Sequence, residues 1–181
     1  VHPCCTGRRA SGWHSDIQNP KRGMYIMKYK NPLLVVSDME RSKAFYKEVL
    51  GLRVIMDFGA NITLTGGVCL QEKRSWEELA SFKEEDIRFG ANDAEIYFEE
   101  DDFDGFLSRL DAIKGLRFVH HAIEHRWGQR AVRFYDPDMH IIEVGENMKA
   151  VCRRFLESGM SAEQVAARMD VPLKYVNACM K

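Results

Sequence analysis

Several features that would assign this chain to a familiar class of protein are missing from its sequence. No apolar run approaches the ~20 residues that a membrane-spanning helix needs, so we expect no membrane partner. The 26 Lys and Arg residues nearly balance the 27 Asp and Glu residues, and a formal net charge of −1 gives no general attraction to nucleic acid. No phosphate-binding loop or dinucleotide fingerprint is present, which argues against the enzyme classes that use them.

Cysteine usage excludes two further scaffolds. The five cysteines are odd in number, and none lies in a CxxC or Cys/His metal-binding spacing. A disulfide framework and a zinc finger are therefore not expected, and we predict a reducing, cytoplasmic location. The cysteines are Cys4, Cys5, Cys69, Cys152 and Cys179.

The first 23 residues differ from the rest of the chain. Val1–Gly23 shows little apolar periodicity and lacks the continuous apolar core of a signal peptide, so the sequence does not indicate secretion. Met24 and Met27 stand just before the patterned region. We interpret residues 1–23 as a disordered leader or as an extension introduced by gene prediction.

An internal repeat is the main feature that the sequence does contain. Hydrophobic residues make up 45% of the 181 residues, which fits one globular core with an appendage. Asn31–Val54 matches Glu95–Phe118 without a gap, and Gly51–Arg53 recurs as Gly115–Arg117. Each copy predicts a strand, then a helix with one apolar face, and then further strands.

Local signals set the boundaries of the predicted elements. Ser37 with Glu40 predicts a capping box at the first helix, and Asp101 or Asp102 caps the second. Each helix is predicted to stop at the repeated glycine. The order β-α-β-β-β occurs twice, which predicts an α+β domain with a cup-shaped, curved mixed sheet. The predicted strands include Asn31–Val36, Asn61–Leu64, Val68–Gln71, Glu95–Glu100, Gln129–Tyr135 and His140–Val144.

Two stretches of this pattern resemble a known superfamily. VVSDMERSKAFYKEVLGLRV and RAVRFYDPDMHIIEV are similar to the most recognisable stretches of the glyoxalase/bleomycin-resistance/dioxygenase (vicinal oxygen chelate) superfamily. The resemblance implies a glyoxalase-like domain at residues 28–146, with modules at about 30–72 and 93–145 that form a cup. It also implies a homodimer, since many relatives complete their cups between subunits, and a metal, when present, inside the cup.

Strand alternation indicates which side chains face into that cup. In the strand that begins the second copy, Glu95 and Tyr97 are turned inward. The same alternation turns Asn31 inward in the first copy and Glu143 inward on the last strand. Superposing the two hairpin turns then places Gln71 opposite Glu143.

Four of these residues fall at or near the positions that bind metal in the family. They are Asn31, Gln71, Glu95 and Glu143, of which Gln71, Glu95 and Glu143 are the predicted ligands. Oxygen ligands of this kind suit Mg or Mn, or else Ni, Fe or Zn. The set lacks the histidine that metal-dependent members usually have. The alternative is a metal-free pocket in which the glutamates bond polar groups or an internal arginine.

The resemblance leaves two functions open. In a lyase or isomerase similar to glyoxalase I, Glu95 and Glu143 would be catalytic, and one of them would move a proton while a divalent ion stabilises an enediolate. The paired carboxylates could also perform acid–base chemistry without a metal. In the alternative, a bleomycin-resistance-type protein binds a small molecule or drug without a metal.

Other side chains are predicted to line the ligand pocket. Trp127 and Gln129 are placed at its mouth, and Arg133 shares the strand parity of Gln129. Arg133 could clamp a substrate carboxylate or phosphate, or it could neutralise Glu95 or Glu143. Three nearby histidines either lie at a strand end and on an exposed loop, which we favour, or supply a base or ligand to the pocket: His120, His121 and His125.

Two segments outside the repeat are predicted to be helical. Glu72–Asn92 predicts a linker with a short helix over one end of the cup. Residues 147–181 predict a helical tail, with a break at Gly159, a capping box at Ser161–Gln164 and a new helix at Pro172. Part of the tail is similar to half of a helix-turn-helix, but it lacks a basic face, so nucleic acid is not an expected partner. We expect the tail to pack on the domain or on a dimer partner.

Overall fold

The computed structural model describes residues 27–180 of the chain. The leader predicted at residues 1–23 lies outside the described residues. Within them, two β-α-β-β-β units follow one another, joined by a helical linker and followed by three helices. The predicted α+β fold of tandem βαβββ modules with short C-terminal helices is confirmed, and its strands form two four-stranded mixed sheets.

The first unit is a four-stranded mixed sheet with one helix. Its first and last strands pair in parallel, and its other neighbouring strands are antiparallel. The hairpin between the last two strands closes through a 3-10 turn, Thr65–Gly67, in which both glycines have positive φ. The elements are β1 (Leu33–Val36), α1 (Met39–Leu50), β2 (Val54–Asp57), β3 (Asn61–Leu64) and β4 (Cys69–Glu72), with strand order β1-β4-β3-β2.

The second unit repeats this topology with longer strands. Its first and last strands again pair in parallel, over six residue pairs. Its antiparallel neighbours include one irregular pair, in which the register shifts between residues 118 and 123. The elements are β5 (Glu95–Glu100), α3 (Phe103–Asp111), β6 (Phe118–Glu124), β7 (Arg130–Tyr135) and β8 (Ile141–Glu146), with strand order β5-β8-β7-β6.

Helix capping differs from the prediction at two points. The capping box at Ser37 is wrong, because Asp38 is the N-cap of α1 and its carboxylate accepts from the Arg41 amide at 3.0 Å. Asp102 caps α3 as predicted, and Gly51 ends α1 in the left-handed conformation. The second glycine does not end its helix, since α3 stops at Asp111, four residues earlier than Gly115.

The two units share one apolar core, and polar contacts join them beside it. Residues of both sheets and of α1 and α3 form a single buried cluster. The Tyr46 hydroxyl of α1 donates to Asp136 at 2.9 Å, and Arg41 pairs with Asp138 at 2.9 Å. Both aspartates are almost fully buried in the turn between β7 and β8. Ser37 also donates to Asp138, which explains why it does not cap α1.

Four more α-helices and one short 3-10 helix (Glu84–Asp86) lie outside the repeat in the described residues. Helix α2 (Lys73–Ala80) packs against β1 and β4, as expected of the linker. Ser161 and Gln164 form the predicted capping box, and the last helix begins after Pro172. The tail has its own small core, separate from the main one. Its helices are α4 (Met148–Glu157), α5 (Ala162–Met169) and α6 (Leu173–Cys179).

Candidate functional site

The sheet of the second unit has one face turned away from the helices, which we call the open face. On β5, Ile96 and Phe98 pack into the core, whereas Glu95, Tyr97 and Glu99 alternate with them and are exposed. This is the period-two pattern of a strand with one covered side. The side chains that share this face come from neighbouring strands, because the register sets Glu143 of β8 beside Tyr97 and Arg133 of β7.

Arg133 lies between the two glutamates of this face. Its Nε donates to Glu95 Oε2 at 2.8 Å, and its Nη2 forms an ion pair with Glu143. The Glu143 side chain is 7% exposed and the Glu95 side chain 39%, so the pair has an inner and an outer carboxylate. One guanidinium therefore serves two carboxylates, and the inner one is largely shielded from water.

His120 of β6 completes the ring of groups around Arg133. Arg133 Nη1 lies 3.1 Å from His120 Nε2, and His120 Nδ1 lies 2.8 Å from the His121 carbonyl oxygen. A guanidinium can only donate, and a carbonyl can only accept. These contacts fit the imidazole tautomer that carries its proton on Nδ1 and accepts from Arg133 at Nε2.

The two carboxylates have opposite pKa shifts. The hydrogen bond from Arg133 holds the pKa of Glu95 below its usual value. Burial raises the pKa of Glu143, and a hydrogen bond with Glu95 raises it further. Two acidic groups whose environments separate their pKa values suit an acid–base pair.

A second group of hydrogen bonds at the open face is formed around Gln129, which is 6% exposed. Its amide nitrogen donates to the Tyr97 hydroxyl at 2.8 Å and to the Glu146 carbonyl at 3.0 Å, and its oxygen accepts from the Trp127 indole at 3.2 Å. Tyr97 donates in turn to Glu99 at 3.0 Å. Burial raises the pKa of Tyr97 to about 12, so the phenol is neutral at physiological pH.

The remaining predicted site residues, Asn31 and Gln71, have their partners inside the first unit. The Asn31 amide donates to the Gly67 carbonyl at 2.6 Å. Gln71 accepts from Asn61 at 2.8 Å, and it donates to the Ala60 carbonyl and to a serine of α2. The structure thus brings Glu95, Glu143, Arg133, Tyr97, Gln129 and Trp127 onto the open face and its rim, and it leaves Asn31 and Gln71 in contacts of their own.

Comparison with known proteins places this arrangement in a family. Residues 29–149 match the model of the glyoxalase-like domain, which is more than half of the chain. The chain belongs to the glyoxalase-like family. The match ends as α4 begins, so the three-helix tail lies almost entirely outside it.

Solved structures agree with this assignment. A protein of unknown function from Agrobacterium tumefaciens is 34% identical, with a TM-score of 0.61 over 70% of this chain and 98% of that one. A glyoxalase/bleomycin resistance protein/dioxygenase from Nocardioides is 19% identical, with a TM-score of 0.57 over 68% and 85%. A lactoylglutathione lyase from Agrobacterium tumefaciens is 23% identical, with a TM-score of 0.50 over 66% and 93%. The last two likenesses show the fold alone.

No curated protein sequence matches the chain. Among the residues that the structure describes, no helix has both the length and the apolar character needed to cross a membrane.

The side chains of the open face do not fit the metal ion that the family resemblance implies. The carboxylates of Glu95 and Glu143 both face the guanidinium of Arg133, and a divalent cation there would meet like charge at close range. Across residues 27–180, no three His, Cys, Asp or Glu side chains converge as metal ligands. The two carboxylates are therefore already bridged by one guanidinium, where a metal would have to bind.

One residue of this site has little signal in the sequence. The sequence favours a strand end or loop for His120, as for two other histidines, yet His120 contacts Arg133. The other two differ, since His121 stacks on Phe118 and His125 stacks on Trp127. The register shift in β6 sets His120 beside Arg133, and such a bulge leaves no clear signal in a sequence.

Proposed function

We propose that this glyoxalase-like protein binds a small organic molecule on the open face of its second unit, without a resident divalent ion. The observation that carries the proposal is the ion pairing of Arg133 with both Glu95 and Glu143. The guanidinium supplies the positive charge that a metal would otherwise bring to the two carboxylates.

The metal part of the proposal is tested by retained metal. The protein is incubated with Mn²⁺, Ni²⁺, Zn²⁺ or Mg²⁺, dialysed, and measured by elemental mass spectrometry beside a Glu95→Gln/Glu143→Gln variant. We expect no stoichiometric retention in either protein. One ion per chain that disappears in the variant would contradict the metal-free site.

The charge of the open face favours a neutral or cationic ligand. This face carries the carboxylates of Glu95, Glu99 and Glu143 but a single guanidinium, that of Arg133. On β5, the exposed ring of Tyr97 lies between Glu95 and Glu99. A cation above an aromatic ring gains further attraction from the ring's electrons. We therefore propose that a ligand carrying an amine is preferred over the same ligand carrying a carboxylate.

Three matched probes test the ligand and its charge. Benzylamine, benzamide and benzoate share one ring and differ in charge, and each is titrated while the tyrosine ring resonances are followed by NMR, with Tyr97 assigned from a Tyr97→Phe variant. We expect Tyr97 to respond most to benzylamine and least to benzoate. A Tyr97 signal that responds to none of them would argue against ligand binding on this face.

Metal-free acid–base catalysis is the second candidate function. The opposite pKa shifts of Glu95 and Glu143 favour it, because the buried Glu143 would hold a proton more readily than its partner. A lyase or isomerase substrate found for this protein would then be turned over without added metal. Glu143→Gln should abolish that turnover, while Asn31→Ala should leave it intact.

A second copy of the chain is the proposed partner of the first unit. β2 is an edge strand, and Ile55, Met56 and the neighbouring Phe58 are 58%, 50% and 71% exposed. An uncovered apolar edge of this kind is a site of association. Light scattering after gel filtration should give a dimer, and Ile55→Lys/Phe58→Lys should give a monomer. A wild-type monomer would exclude this partner.

A further inference from the structure

The tail contacts the domain through Arg154 and Phe155 of α4. The buried residues of the tail come from all three of its helices and form a cluster of their own. Phe155 packs against this cluster, and together with Arg154 it also meets the loop that connects β6 to β7. This loop carries Trp127 and Gln129, two of the residues on the rim of the open face.

Arg154 holds the loop by its backbone and by the end of β8. Its Nη2 donates to the Gly128 carbonyl at 2.6 Å and to Glu146 at 3.0 Å, and its Nε donates to Glu146 at 3.2 Å. Glu146 is 4% exposed and also pairs with Arg130 of β7 at 3.1 Å. A buried carboxylate with two guanidinium partners fixes the position of α4 against the strands.

Phe155 covers Gly128 so closely that no other residue fits there. A Cβ at Gly128 would overlap the ring of Phe155, and the residue has a φ of +87°. Glycine is needed for both reasons, since it has no Cβ and adopts positive φ without strain. The conformation of Gly128 is therefore set by the tail on one side and by the loop on the other.

Gln129 connects Gly128 to the open face. It follows Gly128 directly in the chain, and its side chain donates to the Tyr97 hydroxyl at 2.8 Å. Gly145 of β8 leaves the space for this contact, because a Cβ there would lie 2.8 Å from the Gln129 amide and 3.1 Å from the Tyr97 ring. A shift of Gly128 would move Gln129 and remove the hydrogen bond that orients Tyr97.

We propose that the tail positions the ligand site: Arg154 and Phe155 of α4 hold Gly128 so that Gln129 orients Tyr97 on the open face. They are positioning residues, since neither reaches that face. This inference rests on the proposed function for its purpose, although the coupling itself needs no ligand. In this proposal the tail does more than stabilise the fold, because it also determines the position of the Tyr97 side chain.

The test compares variants of the full chain by NMR without any ligand. The Tyr97 ring resonance and the Trp127 indole resonance are assigned from Tyr97→Phe and Trp127→Phe. Gln129→Leu gives the reference shift for loss of the hydrogen bond to Tyr97. Arg154→Met and Phe155→Leu test the tail, and Arg153→Met on the exposed side of α4 is the matched control.

We expect Arg154→Met and Phe155→Leu to shift the Tyr97 resonance in the same direction as Gln129→Leu, and Arg153→Met to leave it in place. Phe155→Leu keeps an apolar side chain over the loop, so it tests the coupling even if Arg154→Met fails to fold. A lower melting temperature with an unmoved Tyr97 resonance would overturn the proposal and leave the tail a purely stabilising role. Failure of benzylamine to bind would instead affect the proposed function alone.

Discussion

The two units share a topology, but their sheets carry different chemistry on the side away from the helices. In the first unit, the amides of Gln71 and Asn61 bond to each other, and Gln71 also bonds to α2. In the second unit, Arg133 pairs with Glu95 and Glu143, and within residues 27–180 none of these three side chains bonds to α2. The two units therefore present two sheet faces of different chemistry, which we call platforms. The platform of the first unit is neutral and covered by α2. The platform of the second unit, the open face, is charged and accessible.

A duplicated fold can thus use one half for packing and the other for a candidate functional site. The covered half needs only hydrogen bonds among neutral groups, which burial does not penalise once they are made. The accessible half contains groups whose charge must be balanced internally, because Glu143 is nearly buried. The most direct ways to break this contrast are substitutions at the centre of each platform.

Arg133→Met should have the largest effect of these substitutions. It leaves two carboxylates without their cation, and we expect a loss of about 2 kcal/mol of unfolding free energy at pH 8, after allowance for the partial exposure of Glu95. Urea denaturation measures it, with Arg126→Met on the exposed loop as a control expected to change little.

The effect of Arg133→Met should also depend on pH. Arg133 lowers the pKa of Glu95, and that stability is present above the usual pKa and lost in acid. Without Arg133 the already raised pKa of Glu143 rises further, so the folded protein gains by protonation as the pH falls. The difference from wild type should shrink as the pH falls from 8 toward 4. A constant difference would mean that the carboxylates are not the cause.

Tyr46→Phe sharpens the comparison at the contact between the units. The buried hydroxyl of Tyr46 donates to Asp136 in the turn of the second unit, so the first unit helps to satisfy an acid of the second. We expect a loss of about 1.5 kcal/mol in urea denaturation, since a hydrogen bond to a charged acceptor is removed. Tyr135→Phe, whose hydroxyl meets Asn92 at the surface, should cost much less. Equal losses would remove the special role of the Asp136 contact.

Gln71→Leu tests the neutral platform. It leaves the Asn61 amide and the Ala60 carbonyl without their partner, and we expect a loss of about 1 kcal/mol. Because no partner of Gln71 titrates, this loss should be the same at pH 5 and pH 8. A pH dependence like that of Arg133→Met would show that the first platform is coupled to charge after all.

The smallest effect concerns Tyr97 and is spectroscopic. The difference in ultraviolet titration between wild type and Tyr97→Phe should have its midpoint at about pH 12, because burial disfavours the phenolate. A midpoint near the usual tyrosine value would mean that the phenol is open to water.

Much of the fold followed from local patterns in the sequence. The repeat, the apolar stripes and the capping at Asp102 and Ser161 predicted the order of elements, and β3 and β5 have their predicted bounds. Where local signals competed, the prediction was wrong. Ser37 has the sequence context of a cap, but its hydroxyl donates a hydrogen bond to Asp138, which is distant in the chain. No local pattern contains that contact.

In the candidate site, too, local patterns predicted some features and distant contacts decided the others. Strand parity alone indicated that Glu95, Tyr97 and Glu143 share a face, because alternation is a local property of any strand. It could not decide whether Arg133 meets a ligand or the glutamates, nor that His120 joins them. Those contacts depend on strand register, which the bulge in β6 and the pairing of β7 with β8 set.

The sequence by itself determined the elements, their order and the faces of the strands, because periodicity and capping act within a few residues. The tertiary structure alone decided which polar groups meet. It joined Arg133 to two carboxylates on other strands, kept Gln71 within the first unit, and set Phe155 of the tail on Gly128. Such partners are distant in the chain, and only the packed strands and helices bring them within reach of a hydrogen bond.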